Sequence, residues 1–253
     1  MIFYFSGCGN SKHVAETIAA GLNDNLVFIP EAAREGRYDY TLAEGERLGF
    51  VFPIYSWSVP KLVLDFVKKL QLKAEPEYVY FACTCGDNCG LTEKVFLKAM
   101  EEKGWSLSAC FSVQMPETYI GMAGFKLDTP ENAKLKIDRA DQLLMRNIPR
   151  LINKESFSEI VVGGLAWLKT YLVNPGFNRS ATDDSKYLST EACIHCGKCV
   201  EACPLKNITL EEGRPKWHGH CTMCMGCYHH CPVNAIQYGK ATAGKGQYYF
   251  GRR

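Results

Sequence analysis

Between Cys193 and Cys231 the chain reads CIHCGKCVEACPLKNI and then CTMCMGCYHHCPVNAI, the same CxxCxxCxxxCP spacing twice at an offset of 28 residues. This is an internal duplication, and it holds eight of the 13 cysteines, so whatever they bind dictates how the segment folds. Three thiolates spaced by two residues wrap a short loop around one face of a cubane. The fourth, followed by proline, is directed away toward the other cluster. The ligand sets therefore cross: Cys193, Cys196, Cys199 and Cys231 make one, and Cys221, Cys224, Cys227 and Cys203 make the other, each for a [4Fe-4S] cluster. Zinc takes four ligands from two CxxC pairs and leaves a cysteine and a CP in each copy without a use. Disulfides conflict with a reducing compartment.

That compartment is itself an expectation. The N-terminus has no basic region ahead of its apolar residues and no small-residue cleavage site, and no apolar run reaches about 18 residues. A soluble, cytoplasmic protein without a transmembrane segment is expected. Lys plus Arg total 29 against 27 Asp plus Glu, a formal charge of +2, which makes no electrostatic case for nucleic acid or an anionic membrane. From Thr190 to Arg253 eight Lys or Arg face four Asp or Glu. Each oxidised cubane with its thiolates adds about −2, so the loaded segment is close to neutral.

At 253 residues and 47% hydrophobic content, the chain is long enough for a second, larger unit. Residues 1 to 155 alternate short apolar runs with amphipathic stretches, the pattern of a parallel sheet covered by helices on both faces. Five strands are expected, at 2–6, 26–29, 48–52, 78–84 and 107–114. KHVAETIAAGL, PKLVLDFVKKL, LTEKVFLKAMEEKG and residues 130–153 supply helices, with glycine closing the first near Gly21 and the third at Gly104. The charged link EAAREGRYDYTLAEGER carries the weakest helical pattern. The apolar stretch of SEIVVGGLAWLKTYLVNPGFN is too short to span a bilayer and reads as a helix packed between two domains, with an interfacial anchor on Trp167, Lys169 and Tyr171 as the alternative.

The first strand runs into SGCGNS. A dinucleotide fingerprint would need a third glycine where Lys12 stands, although Glu31 sits where a ribose-binding acid would. The hydroxyls of Ser6 and Ser11, the amide of Asn10, the small Cys8 and the glycines Gly7 and Gly9, at a helix start, form instead a cradle for one terminal phosphate. Two further loops leave carboxyl ends of strands, where a doubly wound sheet binds its ligand. One is PIYSWSVP (Pro53, Ile54, Tyr55, Ser56, Trp57), whose rings offer faces to a flat heteroaromatic. The other is TCGDNCG, where Gly86 and Gly90 allow close backbone approach and Thr84, Cys85 and Asp87 meet ring edges.

With those three loops in that order, residues 1 to about 153 resemble flavodoxin, and the whole chain resembles the EFR-type flavodoxin-ferredoxin fusions. The resemblance implies an α/β flavodoxin-like, doubly wound, five-stranded parallel sheet followed by a small α+β two-cluster ferredoxin domain. It implies FMN, with phosphate on Ser6 to Ser11 and the isoalloxazine between residues 53–59 and 84–90. The domains are then 1–155, a linking helix in 156–185, 186–240 for the clusters and a tail at 241–253. A chain joining a two-electron flavin to one-electron clusters converts between the two kinds of transfer. It relays electrons between redox protein donors and acceptors, or it reduces a small-molecule acceptor at FMN. A low-oxygen host is expected, and the zinc-stabilised binding module is the remote alternative.

Several residues read more plainly. Cys8 stands where flavodoxin loops commonly carry threonine and is a small residue in a tight turn. Cys83, Cys85 and Cys89 read as buried structural thiols, His195, His220, His229 and His230 as surface histidines near the clusters, and Trp217 as core. MPETYIGMAG, residues 115–124, is a crossover in which Tyr119 could gate a substrate.

Overall fold

The computed structural model describes residues 1–122, 124–180 and 183–251; Ala123 of the crossover, Ala181 and Thr182 of the linking segment, and Arg252 and Arg253 of the tail lie outside them. Six strands, β1 (Ile2–Tyr4), β2 (Leu26–Phe28), β3 (Leu48–Pro53), β4 (Val79–Cys85), β5 (Leu107–Gln114) and β6 (Phe157–Glu159), form one parallel sheet. Their order is β2-β1-β3-β4-β5-β6. Helices α1 (Asn10–Leu22), α2 (Ile29–Arg34), α3 (Lys61–Lys69), α4 (Thr92–Glu101) and α5 (Pro130–Ile152) cover it.

The five expected strands were legible because a parallel sheet is buried on both faces and its strands read as apolar runs. All seven residues of β4 are buried; Val79, Phe81, Cys83 and Cys85 pack on one side, Tyr80 and Ala82 on the other. The sixth strand corrects the five-stranded expectation. Phe157, Ser158 and Glu159 carry one apolar side chain, and the pairing is held from outside: Arg150 lies over the Phe157 ring at 3.7 Å, and Arg146 and Arg150 both bond Glu159.

Two details of the helices also differ from expectation. Gly21 does not close α1. It lies inside the helix, where a Cβ would come within 2.6 Å of Ile148 Cγ2 on α5, and Asn23 takes the left-handed closing position at φ 55°. Gly104 does close the α4 turn, at φ 74°. The charged link yields only the six residues of α2, then a two-residue ladder between Asp39–Tyr40 and Gln71–Leu72.

The cysteine repeat folds into two short antiparallel ladders, β7 (Tyr187–Ser189) with β10 (Ile236–Tyr238), and β8 (Ile208–Glu211) with β9 (Arg214–Trp217). Each copy contributes one small helix, α6 (Lys198–Ala202) or α7 (Gly226–His229). The duplication reaches the backbone: His195 and Met223, Gly197 and Met225, and Lys206 and Asn234 all have left-handed φ, each pair at the 28-residue offset.

Between the units, Ala166–Leu168, a π-helical turn Lys169–Val173 and Asn174–Ser180 form a continuous helical stretch. Thr170 Oγ1 accepts from Leu91 N and donates to Trp57 O, and Asn174 Nδ2 donates to Tyr55 O, so one face is bolted to the loops after β3 and β4. Leu165, Trp167, Leu168 and Leu172 are exposed on this stretch. Among the described residues no helix is long and apolar enough to cross a membrane.

Gly49, in β3, has the Tyr80 ring where a Cβ would stand, and Tyr80 is fully buried. Gly49→Ala is expected to destabilise the full chain by about 1–3 kcal/mol through overpacking, read as a lower denaturant midpoint with an unchanged slope.

Candidate cofactor site

The sheet order places β1 between β2 and β3, so the chain winds outward in opposite directions from this point and leaves a crevice at the carboxyl ends. A cavity of about 620 Å³ lies there. Ser6, Gly7, Cys8, Asn10, Ser11, Pro53, Ile54, Tyr55, Ser56, Trp57, Thr84, Cys85, Gly86 and Asp87 all line it. Three loops far apart in sequence thus meet on one void.

Gly9 and Gly90, expected at the ligand, are not in the lining. Gly9 is the left-handed entry to α1 at φ 95°, and a Cβ there would meet Phe250 Cβ at 2.9 Å. Gly90 admits the linking helical stretch: a Cβ would meet Thr170 Oγ1 and Trp57 O at 2.6 Å. Asn10 is also more occupied than expected, since its Nδ2 donates to Pro116 O at 2.8 Å and its Oδ1 accepts from Tyr248 OH at 3.0 Å. Ser11 Oγ and Thr84 Oγ1 pair at 2.7 Å, and Ser6 Oγ accepts from Gly9 N at 3.1 Å. With these side chains engaged, the donors left at this end of the cavity are the leading N–H groups of α1, which have no acceptor within the helix.

The loop after β3 turns on two consecutive left-handed residues, Ser56 at φ 49° and Trp57 at φ 60°, closed by reciprocal backbone bonds between Tyr55 and Ser58. Lys169 Nζ sits 5.0 Å from the centre of the Trp57 ring, and Tyr55 meets Phe5 and Phe177 edge-on. At Gly86 any side chain would drive into the Glu117 carboxylate, so the bare backbone there keeps the wall open.

Of the remaining wall, the sequence pointed only to residues 115–124 with Tyr119; the contributions of the linking stretch and the cysteine repeat were not read from it. The crossover supplies Met115 to Tyr119, the linking stretch Phe177, and the cysteine repeat Met223, Cys224, Met225 and Tyr238. Glu117 accepts N–H bonds from Thr118 at 3.0 Å and Tyr119 at 2.8 Å, and burial nevertheless raises its carboxyl above the ordinary range. Tyr119 is edge-on to both Phe125 and Phe177. No periodicity marks these residues, because they face a void shared with a distant segment.

Each expected ligand set also lines one small cavity. Cys193, Cys196, Cys199 and Cys231 share the first with His195, Leu210 and Val233; Cys203, Cys221, Cys224 and Cys227 share the second with Tyr187, Trp217 and Met225. Four thiols around an apolar void are the donor set an iron–sulfur cluster requires. Backbone N–H groups already point at sulfur: Asn207 N to Cys203 at 3.3 Å, Met223 N to Cys221 at 3.2 Å, and Ala235 N to Cys231 at 3.1 Å. Trp217 stacks on Tyr187 at 5.4 Å and lines the second cavity, and its buried Nε1–H has no hydrogen-bond partner among the described residues.

The two units join at the opening loop. A Cβ on Gly7 would lie 2.5 Å from Cys224 Cβ, and Cys8 donates its thiol hydrogen to Cys224 O at 3.2 Å. Cys8 is thus more than a small residue in a turn: it is a cross-domain bond. Tyr248 N donates to Nδ1 of the buried His229, whose Nε2–H therefore faces Thr118 O at 2.7 Å, correcting its reading as a surface histidine. Residues 245–251 strap the seam: Lys245 Nζ donates to Ile120 O and Met122 O, and Phe250 N donates to Cys8 O.

Cys8, Cys83, Cys85, Cys89 and Cys110 are all buried. Burial raises the thiols of Cys8 and Cys83, bonding with Cys89 raises that of Cys85, bonding with Cys83 raises that of Cys89, and burial pushes Cys110 up to about 12. At about pH 8 these stay protonated, so a maleimide should label none of the five in the native protein; modification at any of them, read by peptide mass spectrometry, would contradict their burial.

A flavodoxin domain model matches residues 1–121, and a 4Fe-4S dicluster domain model matches residues 192–236. A ferredoxin of Pyrobaculum islandicum is 37% identical over 73 residues, which cover 26% of this chain and 67% of that protein. Among solved structures, the Trp repressor binding protein of Bacillus subtilis aligns at 16% identity over 57% of this chain and 97% of its own, with a TM-score of 0.35. An NAD(P)H:quinone oxidoreductase of Methanothermobacter marburgensis aligns at 13% identity over 58% and 94%, with a TM-score of 0.32.

Proposed function

For a chain that belongs to the fusions of a flavodoxin domain with a 4Fe-4S dicluster ferredoxin domain, and so is an iron–sulfur and flavin redox protein, we propose that it passes electrons between two [4Fe-4S] clusters and FMN and thereby converts one-electron into two-electron transfer for partner redox enzymes. The observation that carries this reading is the position of Met223, Cys224 and Met225 in the wall of the same cavity that the three strand-end loops enclose. The cavity is where FMN would bind, and it opens directly onto one cysteine set.

Bound FMN supplies the ability to take two electrons and release them singly, which a cubane lacks. This chain's residues then have separate tasks. The first turn of α1, with Ser6 and Gly7, holds the phosphate. Residues 53–57 and 84–87 flank the ring, and Gly86 leaves space for it. Glu117, with its raised carboxyl, stands in the wall as a group able to hold a proton when charge enters the cavity. Ile120, fully buried, packs into the core of the repeat, and Tyr119 and Phe177 line the cavity. The crossed sets, Cys193, Cys196, Cys199 with Cys231 and Cys221, Cys224, Cys227 with Cys203, hold the two clusters.

A second reading, reduction of a small molecule at the flavin, is favoured by the aromatic and methionine lining at Tyr119, Met122, Phe125 and Phe177, which lies outside the three flavin loops. Anaerobic reduction followed by addition of small electrophiles separates the two: the relay reading requires reoxidation by redox proteins, and saturable turnover of one metabolite would displace it.

Anaerobic purification is expected to yield about eight iron, eight sulfide and one FMN per chain. Near-zero iron with two zinc per chain would overturn both redox readings. In the loaded protein, Trp217→Phe keeps the stacking on Tyr187 and removes the unpartnered buried N–H beside the cavity of Cys203, Cys221, Cys224 and Cys227. Hydrogen bonds to cluster sulfur stabilise the more negative reduced form. One cluster's midpoint in an EPR-monitored titration should move to more negative potential, and the other should stay.

A further inference from the structure

The two copies of the cysteine motif share backbone conformation but meet different surroundings. In the second copy the loop Cys221 to Met225 is pressed into the flavodoxin unit: Met223 and Met225 are 4% and 1% exposed, and Cys224 abuts Gly7. At the equivalent positions of the first copy, His195 and Cys196 are exposed, although His195 and Gly197 repeat the left-handed φ of Met223 and Met225; Ile194, the counterpart of Thr222 in the same loop, is 57% exposed. Val233, beside Cys231 in the same cavity wall, is 39% exposed, and Leu210 is 41% exposed.

Resting on the redox reading above, we propose that the first-copy loop around Cys196 is the chain's external electron port and docks a separate one-electron redox protein, as its duplicate docks the flavodoxin unit. The second copy shows what such a loop packs on: a redox domain's own cofactor loop, met through apolar side chains next to a ligand cysteine. Ile194, Leu210 and Val233 present the same chemistry to solvent. On its repeat side the large cavity is walled by Phe177, Met223 and Met225, which the second copy's contact with the flavodoxin unit already occupies.

Electron flow is then linear. In each docking event the partner is oxidised by one electron and the cluster held by Cys193, Cys196, Cys199 and Cys231 is reduced by one. The electron moves on to the cluster held by Cys203, Cys221, Cys224 and Cys227, and two events deliver the two electrons that the cavity's flavin accepts. The reverse order serves a partner that accepts electrons.

The test uses the loaded full chain, reduced anaerobically, with the basic one-electron acceptor mitochondrial cytochrome c as the probe. The port variant carries Ile194→Lys and Val233→Lys. A control carries the same added charge on the exposed linking stretch as Leu165→Lys and Leu172→Lys. At low ionic strength the port pair is expected to slow oxidation by about tenfold or more, and the control pair by less than about twofold, because like charge at the docking face opposes the probe at contact distance, whereas charge elsewhere acts on it only across intervening solvent. Equal slowing by both pairs, slowing by the control alone, or no slowing by the port pair would overturn the proposal. Iron and flavin counts accompany each variant: loss of cofactor in the wild type is failure of the redox reading itself, whereas intact cofactors with an unslowed port variant are failure of the port alone. Because ferricyanide is small and negatively charged, its rate with the port pair should not fall, which separates lost docking from a damaged cluster.

Discussion

The contact of Gly7 with Cys224 holds the molecule's two halves in the relation on which their joint chemistry depends. A ligand cysteine of one unit occupies the space where any side chain at residue 7 would stand. Gly226 repeats the constraint from the other side, with Gly7 O 3.0 Å from where its Cβ would lie. Around this point the seam is hydrogen-bonded rather than merely apposed: Cys8 to Cys224, Tyr248 to Asn10, His229 to Thr118. Each such bond contributes about 1 kcal/mol, but together they fix orientation, which apolar contact alone does not. A cavity built from both units has a defined shape only while that orientation holds.

Duplication gave the small unit two equivalent faces, and fusion used one of them. The buried loop with Met223 and Met225 and the open loop with Ile194 and His195 have the same backbone, so their difference lies in side chains and neighbours. Methionine, flexible and polarizable, suits an irregular seam. The crossover Met115 to Tyr119 and the buried Ile120 complete the enclosure by reaching from the large unit into the core of the small one.

Much of this was legible in the sequence because the strongest signals were local. The cysteine spacing named two sets of four, and each set lines one cavity. Strand-end loops with small and aromatic residues named the part of the large cavity's wall that the sheet supplies. What escaped had no local signature. The strand at Phe157 exists because Arg146 and Arg150 hold Glu159 from a helix. Glu117 is one acid among many until burial and Gly86 mark it out. Gly9 and Gly90 looked like ligand glycines, yet their freedom serves Phe250 and Thr170, partners about 240 and 80 residues away. Cys8 and His229 acquire roles only from the second unit's placement.

The strap of residues 245–251 has a consequence for how the chain matures. It ties Cys8 and Ile120 of the large unit to Tyr228 and Cys231 of the small one, and it follows both in the chain. Synthesis therefore delivers each unit before the segment that fastens them. During that interval the crevice at the strand ends and the cysteine loops are still separate surfaces, and the seam closes only once the strap has followed them.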